Sequence, residues 1–557
     1  MFKNRRLNRF RYEVPLLALL LSVGGASLAL ADDGPEDKKD TAPKVGPNIQ
    51  VNDPQQLPPN DWPNRNTPSL GVSEDGQRLL AVFEDFQGFC GPPSNQACPA
   101  PNPNGLTGFA YSSDGGATWT DGGALAPIGL ATTAGHPWAD RGGEGDEEFF
   151  YAVTRMREGL TGLAGLGVYR GRFVNGTFAW EDAQIINSTN PNDQYSRAAL
   201  AASKGPRPTA YVVLSNVLEL CGIASFGFGQ IEVWRTNNAG QTWRGPVVVG
   251  PDTAESSDPN DPDCGVFGPL QVAPAISAGP RNEVYVVWQK GPRLLDLSGG
   301  TEPGSTIAFS RSLDGGRTFD PPRTLVSINA NYQNTPVGHG KSRQNDQPRI
   351  AVDTEGRFRG RVYVTFYQPV RPVQAAITAQ SLTSSEAYIT YSDDRGLTWS
   401  TPTRVAKTPV PPNGVKRFWP TVSVRGNGAV DVVYLESRET QATPDPTDVE
   451  CSMPTGLGRR IGPVSSLIDT YWVQSRDGGR TFSAPLKVSE QTSNFCTSFY
   501  TFSSGVFSNI GDYLGTASAG DKTFILWPDA RNGVTDLFFS EVKGKVKIPR
   551  SVRGDGE

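Results

Sequence analysis

Hydrophobic and polar residues alternate in short runs along the chain, as in Thr306-Ile307-Ala308-Phe309-Ser310 and Tyr388-Ile389-Thr390-Tyr391. A period of two places successive side chains on opposite faces of an extended backbone, so these runs predict strands with one buried face. A longer unit also recurs, in which a Pro opens a strand, a Gly-containing turn follows, and a second strand ends in an aromatic. Pro274 to Trp288, Pro420 to Tyr434 and, with Tyr in place of Pro, Tyr513 to Trp527 share one offset. Downstream lie five segments with the pattern Ser/Thr-x-Asp/Asn-x-Gly-x-Thr-Trp/Phe, at 112–119, 236–243, 312–319, 392–399 and 475–482. Each reads as a hairpin turn: the carboxylate or amide of Asp114, Asn238, Asp314, Asp394 or Asp477 accepts hydrogen bonds from turn amides. The Gly permits a positive φ, and the last aromatic buries beside the next strand.

The unit therefore has four strands, and the box turns the third into the fourth. Openings at Pro68, Pro137, about Ser196, Pro274, Pro348, Pro420 and Tyr513 predict seven such units, with six the alternative if the second or third is irregular. Units two and seven lack a readable box, and 168–180 and 536–542 are their expected third-strand regions. Small sheets of this kind protect their edges by closing radially, so the expected fold is an all-β propeller over residues 48–545, followed by a tail at 546–557. The last unit is short of an outer strand, which Asn48-Ile49-Gln50-Val51 would supply.

These boxes resemble the Asp-box, or bacterial neuraminidase repeat, of the sialidase superfamily, over nearly all of the chain beyond residue 31. The resemblance implies a sialidase-like propeller whose boxes face away from the active site. It also implies a glycan or glycoconjugate ligand and hydrolysis of the exo-α-sialidase type. That chemistry uses arginines to hold a substrate carboxylate, a Tyr nucleophile beside a Glu, and an Asp acid/base. One departure leaves a non-catalytic propeller that binds protein or polysaccharide as the alternative. The Phe/Tyr-Arg-Ile-Pro element that supplies the first clamp arginine is absent, and Gln347-Pro348-Arg349-Ile350 only reorders it.

Strand direction alternates, so connections from second to third strands, and from each unit to the next, leave from the end opposite the boxes. The long segments 87–106, 216–230, 290–305, 368–387 and 437–469 all fall there. The six cysteines follow suit. Cys90 with Cys98, Cys221 with Cys264 and Cys451 with Cys496 are expected to form three disulfides that pin those loops. Ends of second strands and starts of first strands meet at the same mouth. They bring Glu84, Asp85, Arg155, Arg197, Asp346, Arg349, Glu436, Arg438, Asp512, Tyr513, Asp529 and Arg531 to one region. In the hydrolase reading Tyr513 is the nucleophile, Glu436 its base partner, and Asp85 or Asp346 the acid/base. Arg349, Arg438 and Arg531 clamp a carboxylate, with Asp512 and Asp529 beside them. His136, next to Pro137 at a strand opening, is read as a packing residue.

Composition adds the compartment and removes partners. A basic start (Lys3, Arg5, Arg6, Arg9, Arg11) precedes an apolar run from Val14 to Ala31, which reads as a cleaved export signal over 1–31, followed by a disordered linker at 32–47. The protein is expected to be secreted or periplasmic and monomeric, without membrane insertion after cleavage. A net charge of −5 disfavours nucleic acid. With two histidines and no Cys-x-x-Cys, no metal site or cofactor is expected. The exception is Ca²⁺, to which Asp258, Asp261 and Asp263 offer carboxylate oxygens.

Overall fold

The computed structural model describes residues 42–53, 65–85, 105–158, 162–187, 194–205, 209–217, 229–251, 269–293, 305–328, 348–370, 384–412, 414–441, 463–495, 499–502, 505–508 and 511–544, all within one compact unit. Asp346 and the acidic stretch 258–263 lie outside them, as do residues 1–41. The three expected disulfides also fall outside the described residues, since Cys90 and Cys98, Cys221 and Cys264, and Cys451 and Cys496 all lie beyond them. Strands dominate, and a turn of 3-10 helix stands at Gly145–Glu147.

Four sheets are antiparallel meanders in chain order. Their innermost strands are Arg65–Val72, Trp138–Gly142, Gln194–Ala202 and Pro269–Ala278. In the second sheet the boxless third strand is Gly162–Val174. The last sheet runs Gly515–Ala519, Lys522–Asp529, Asp536–Lys543 and is completed from the other end of the chain. Ile49–Gln50 pairs with Phe539 and Phe538 as expected, and Lys44–Val45 pairs with Lys543 and Val542. The expected linker therefore ends before residue 44, because Val45 packs against the core beneath that sheet.

The expected four-stranded units do not all stay separate. Among the described residues there are five sheets of four or five strands and one of nine, with a two-stranded ribbon of Phe499–Phe502 and Gly505–Ser508 apart from them. The cause of the nine-stranded sheet is a single parallel bridge, Ser385 to Lys416, which fuses the set beginning at Arg349–Val352 to the set beginning at Val415–Val424. Around the axis each innermost strand touches the next, from Arg65–Val72 through to Gly515–Ala519, which returns to Arg65–Val72. This closed cycle makes the fold a β-propeller. The long excursion expected at 437–469 is shorter than the sequence suggested, because strands Val430–Gln441 and Pro463–Ser475 keep pairing as far as Gln441 and Pro463.

All five boxes adopt one hydrogen-bonded turn. In the first, Ser112 Oγ donates to Asp114 Oδ1 (2.8 Å), and the Gly116 and Thr118 amides donate to Ser112 Oγ and Asp114 Oδ1 (2.9 Å each). Asn238 reproduces this with its amide oxygen, which accepts from Thr236 Oγ1 and the Thr242 amide. For Asp314 and Asp394 burial pushes the carboxyl pKa up. The hydrogen bonds from the turn outweigh it and hold both at about 2.

The boxes also join neighbouring sheets. In four boxes the glycine faces an aromatic ring of the adjoining sheet, where Gly116 meets Phe539, Gly240 meets Tyr151, Gly316 meets Tyr211 and Gly396 meets Phe309; Gly479 meets Tyr363 in the other half of the nine-stranded sheet. The box aromatics reinforce two of these contacts, with Trp119 edge-on to Phe539 at 5.2 Å and Trp399 to Phe309 at 5.1 Å.

Candidate functional site

The innermost strands open with a repeated backbone device. Thr67, His136, Arg197, Ala273 and Trp419 all have φ between 45° and 55°, and each stands immediately before Pro68, Pro137, Ala198, Pro274 or Pro420. In four of the five sheets the pairing register slips at this point, between Asn66 and Ser69, Ser196 and Ala199, Val272 and Ala275, and Phe418 and Thr421. A bulge with a left-handed residue re-aims that residue's side chain. His136, Arg197 and Ala273 consequently line one cavity on the axis, with Trp138, Ala198, Pro274, Arg349 and Tyr513.

That cavity is about 10 Å³, room for about one water-sized group and far below the ~300–1,000 Å³ of pockets that enclose a whole small molecule, so only the tip of a larger ligand would enter it. A cavity of about 370 Å³ runs along the axis and shares Trp138 and Arg349 in its wall. Ends of innermost strands, including Val72, Lys204, Val424 and Ser518, line a third cavity that overlaps the far part of the channel. Strand starts thus converge at one end and strand ends at the other, and the long connections leave from the end with the small cavity.

Electrostatically the small cavity is a buried mixed cluster. The Arg349 guanidinium lies 4.7 Å from the Trp138 ring centroid and 4.9 Å from that of Tyr513, and the two rings are 5.2 Å apart. Burial pulls the Arg349 pKa down to about 10, although Tyr513 and Asp512 oppose the shift. Tyr513 is pushed well above the usual phenol range, first by burial and then by Glu84, with Arg349 pulling the other way. Its hydroxyl donates to the Pro137 carbonyl at 2.5 Å.

Glu84 accepts from the His136 amide (2.8 Å) and from Thr67 Oγ1 (3.3 Å), and His136 Nδ1 is 3.6 Å from Asp512 Oδ2. These contacts require close backbone approach at Gly135 and Gly511. A Cβ there would lie 2.7 Å from Glu84 Oε1 or from the Thr67 amide nitrogen, and both have φ of +86°. Arg197 Nη1 is buried and donates no hydrogen bond among the described residues.

The structure brings together part of the site expected from sequence. Arg349, Asp512 and Tyr513 lie together at the small cavity. Glu436 does not pair with Tyr513: its carboxylate accepts from Arg417 Nε (2.9 Å) and Arg438 Nη2 (3.2 Å). Arg417 is also held by Glu386 at 2.9 Å, and Arg438 reaches Tyr471 Oη at 3.3 Å. Arg531 is bound to Asp529 at 2.6 Å and to Asn48, over the Phe538 ring. Asp85 pairs with Arg65 at 3.2 Å. Arg349, Arg438 and Arg531 therefore have three different sets of partners, and no contact among the described residues joins them as a clamp. The reason is local: the carboxylates of Asp85, Glu436 and Asp529 are each matched by a nearby cation, and a matched pair costs less to bury than a lone charge. The sequence reading placed Arg197 and Glu84 at the mouth without assigning them roles, and it took His136 for packing. The residue before Pro, which recurs at several strand openings, was the signal that could have singled out His136.

No protein-family model matches the chain, and no curated protein matches it. Among solved structures it is similar to the GH93 alpha-L-arabinofuranosidase of Fusarium graminearum in complex with arabinobiose, at 13% identity and a TM-score of 0.42, covering 70% of this chain and 92% of that one. It is similar to a PL25 ulvan lyase at 9% identity and a TM-score of 0.44, covering 86% and 94%. Similarity to Trypanosoma rangeli sialidase is 11% identity with a TM-score of 0.36, covering 86% of this chain and 55% of that one.

Proposed function

We propose that the protein is an exported, seven-bladed propeller that binds acidic glycans at its loop-bearing end, seating a ligand carboxylate in the axial cavity. The blade count takes the nine-stranded sheet as two blades, one on each side of the Ser385–Lys416 bridge. The observation that carries the reading is the Arg197 Nη1 group, buried without a hydrogen-bond partner among the described residues and in the same cavity as Arg349. A guanidinium N–H left in that state costs free energy that a bound carboxylate would recover.

Glycoside hydrolysis is the second reading, favoured by one observation: the Tyr513 ring lies 4.9 Å from the Arg349 guanidinium in the same cavity. In it, Glu84 takes the partner role first given to Glu436. A glycan array tests the first reading, and fluorogenic sialosides and uronides test the second. Arg197→Ala is expected to weaken acidic-glycan binding at least tenfold with an unchanged far-ultraviolet spectrum. Equal binding by Arg197→Ala and wild type would refute the cavity as the site. Turnover that Tyr513→Phe abolishes while binding persists would establish hydrolysis.

A further inference from the structure

His136 lines the axial cavity, yet neither reading gives it a part. Its backbone is held in a left-handed conformation (φ +55°), which turns the imidazole inward, and the side chain is almost wholly buried. The imidazole faces carboxylates from two different sheets. Asp512, just before Gly515–Ala519, stands 3.6 Å from Nδ1, and Glu84, at the end of Leu79–Asp85, stands 3.9 Å from Nε2. Across the cavity are the guanidiniums of Arg349 and Arg197 and the phenol of Tyr513. On the strand behind, Arg155 donates its amide to the Gly135 carbonyl.

With two carboxylates and two guanidiniums already around the cavity, a proton on His136 adds one positive charge to what an incoming anion meets. We infer that His136 is the charge-selecting residue of this site, so that an acidic ligand enters together with one proton on its imidazole. The inference rests on the acidic-glycan reading and deepens it. Histidine is suited to this because its charge changes within about pH 5–8, whereas the surrounding arginines stay charged.

The sign follows from linkage. A bound carboxylate adds negative charge beside the imidazole and favours its protonated form, so the ligand raises the His136 pKa. Affinity is then greatest below the pKa of the ligand-free protein. It falls by up to about tenfold per pH unit above that value, until the pKa of the complex is passed.

The protein has only two histidines, His136 and His339, so a His339→Gln variant reports His136 through a single imidazole C2–H resonance. That resonance would be titrated with and without saturating N-acetylneuraminic acid and, separately, glucuronic acid. Calorimetry in buffers of different ionisation enthalpy would count protons taken up on binding. The expected result is an upward pKa shift with whichever acid binds, uptake approaching one proton, and affinity independent of pH in His136→Gln. Binding with an unshifted C2–H titration and no proton uptake would overturn the role of His136 and leave the acidic-glycan reading standing. Failure of both acids, and of acidic glycans on the array, to bind at any pH would overturn both.

Discussion

Replacing the box glycine that faces an aromatic ring by alanine should cost different amounts in different boxes, in an order set by the room available for one methyl group. All five positions have φ between +75° and +88°, where any L-residue is strained. Alanine should therefore lose about 1–2 kcal/mol at each of them from backbone strain alone. At Gly240 the new Cβ would lie 3.4 Å from Tyr151 Cε1, an ordinary contact, so little is added. At Gly116 it would lie 2.2 Å from Phe539 Cε1, and at Gly396 2.3 Å from Phe309 Cζ. Both rings are buried, at 2% and 0% exposure, and each is wedged against a box tryptophan, so neither can swing aside. Overpacking of that kind adds roughly 1–3 kcal/mol. Gly116→Ala and Gly396→Ala should thus lose about 2–5 kcal/mol, and Gly240→Ala about 1–2 kcal/mol. Urea unfolding monitored by tryptophan fluorescence gives the order, read from midpoints at constant slope. Equal losses at Gly116 and Gly240 would show that the glycines serve only the turn and would refute their role in joining sheets.

Two further outcomes are expected. The carboxyls of Asp314 and Asp394 are held at about 2, below their ordinary value of 3.8. The stability they contribute is complete above the ordinary value and is lost as pH falls through about 2. A urea midpoint that drops less steeply over this range in the double variant carrying Asp314→Asn and Asp394→Asn than in wild type would support this, and an unchanged profile would refute it. Asp431→Ala should lower stability by about 3–5 kcal/mol in thermal unfolding, because it strands the fully buried Arg425. Asp431 accepts from Arg425 at 2.7 Å and also from Trp472 and Gln474, so a loss below about 1 kcal/mol would show that Arg425 finds other partners.

The repeat was legible in the sequence because its demands are local. Ser112, Asp114, Gly116 and Thr118 satisfy one another within seven residues, and the same is true wherever the pattern recurs. Closure by Asn48-Ile49-Gln50-Val51 was legible for a similar reason, since a meander lacking one strand has one place to receive it. Sheet fusion was not, because it hangs on a single bridge between Ser385 and Lys416 that alternation does not encode. Residue roles at the mouth were less legible still. Glu436 sits at the end of a second strand as expected, but Arg417, on the strand beside it, takes its carboxylate. The pattern of acids and arginines shows which residues reach the mouth; it does not show which neighbour each will bind.

The backbone itself separates the residues that hold the ring from those that face a ligand. Ion pairs such as Arg65–Asp85, Arg417–Glu436 and Arg531–Asp529 form within one sheet, between adjacent strands or two residues apart, and need no unusual conformation. The axial cluster differs, since His136 and Arg197 reach it from left-handed conformations that cost about 1–2 kcal/mol each. Three further sheets carry the same strain, at Thr67, Ala273 and Trp419, so the device belongs to the architecture; what varies is the side chain it turns toward the axis. Where the repeat needs only packing, that residue is Ala273. Where it is His136 or Arg197, a titratable or charged group has been placed in a cavity already holding Arg349, Asp512 and Tyr513. Packing at those two positions would be met more cheaply by apolar side chains, so their chemistry marks this end of the axis as the place where a ligand is held.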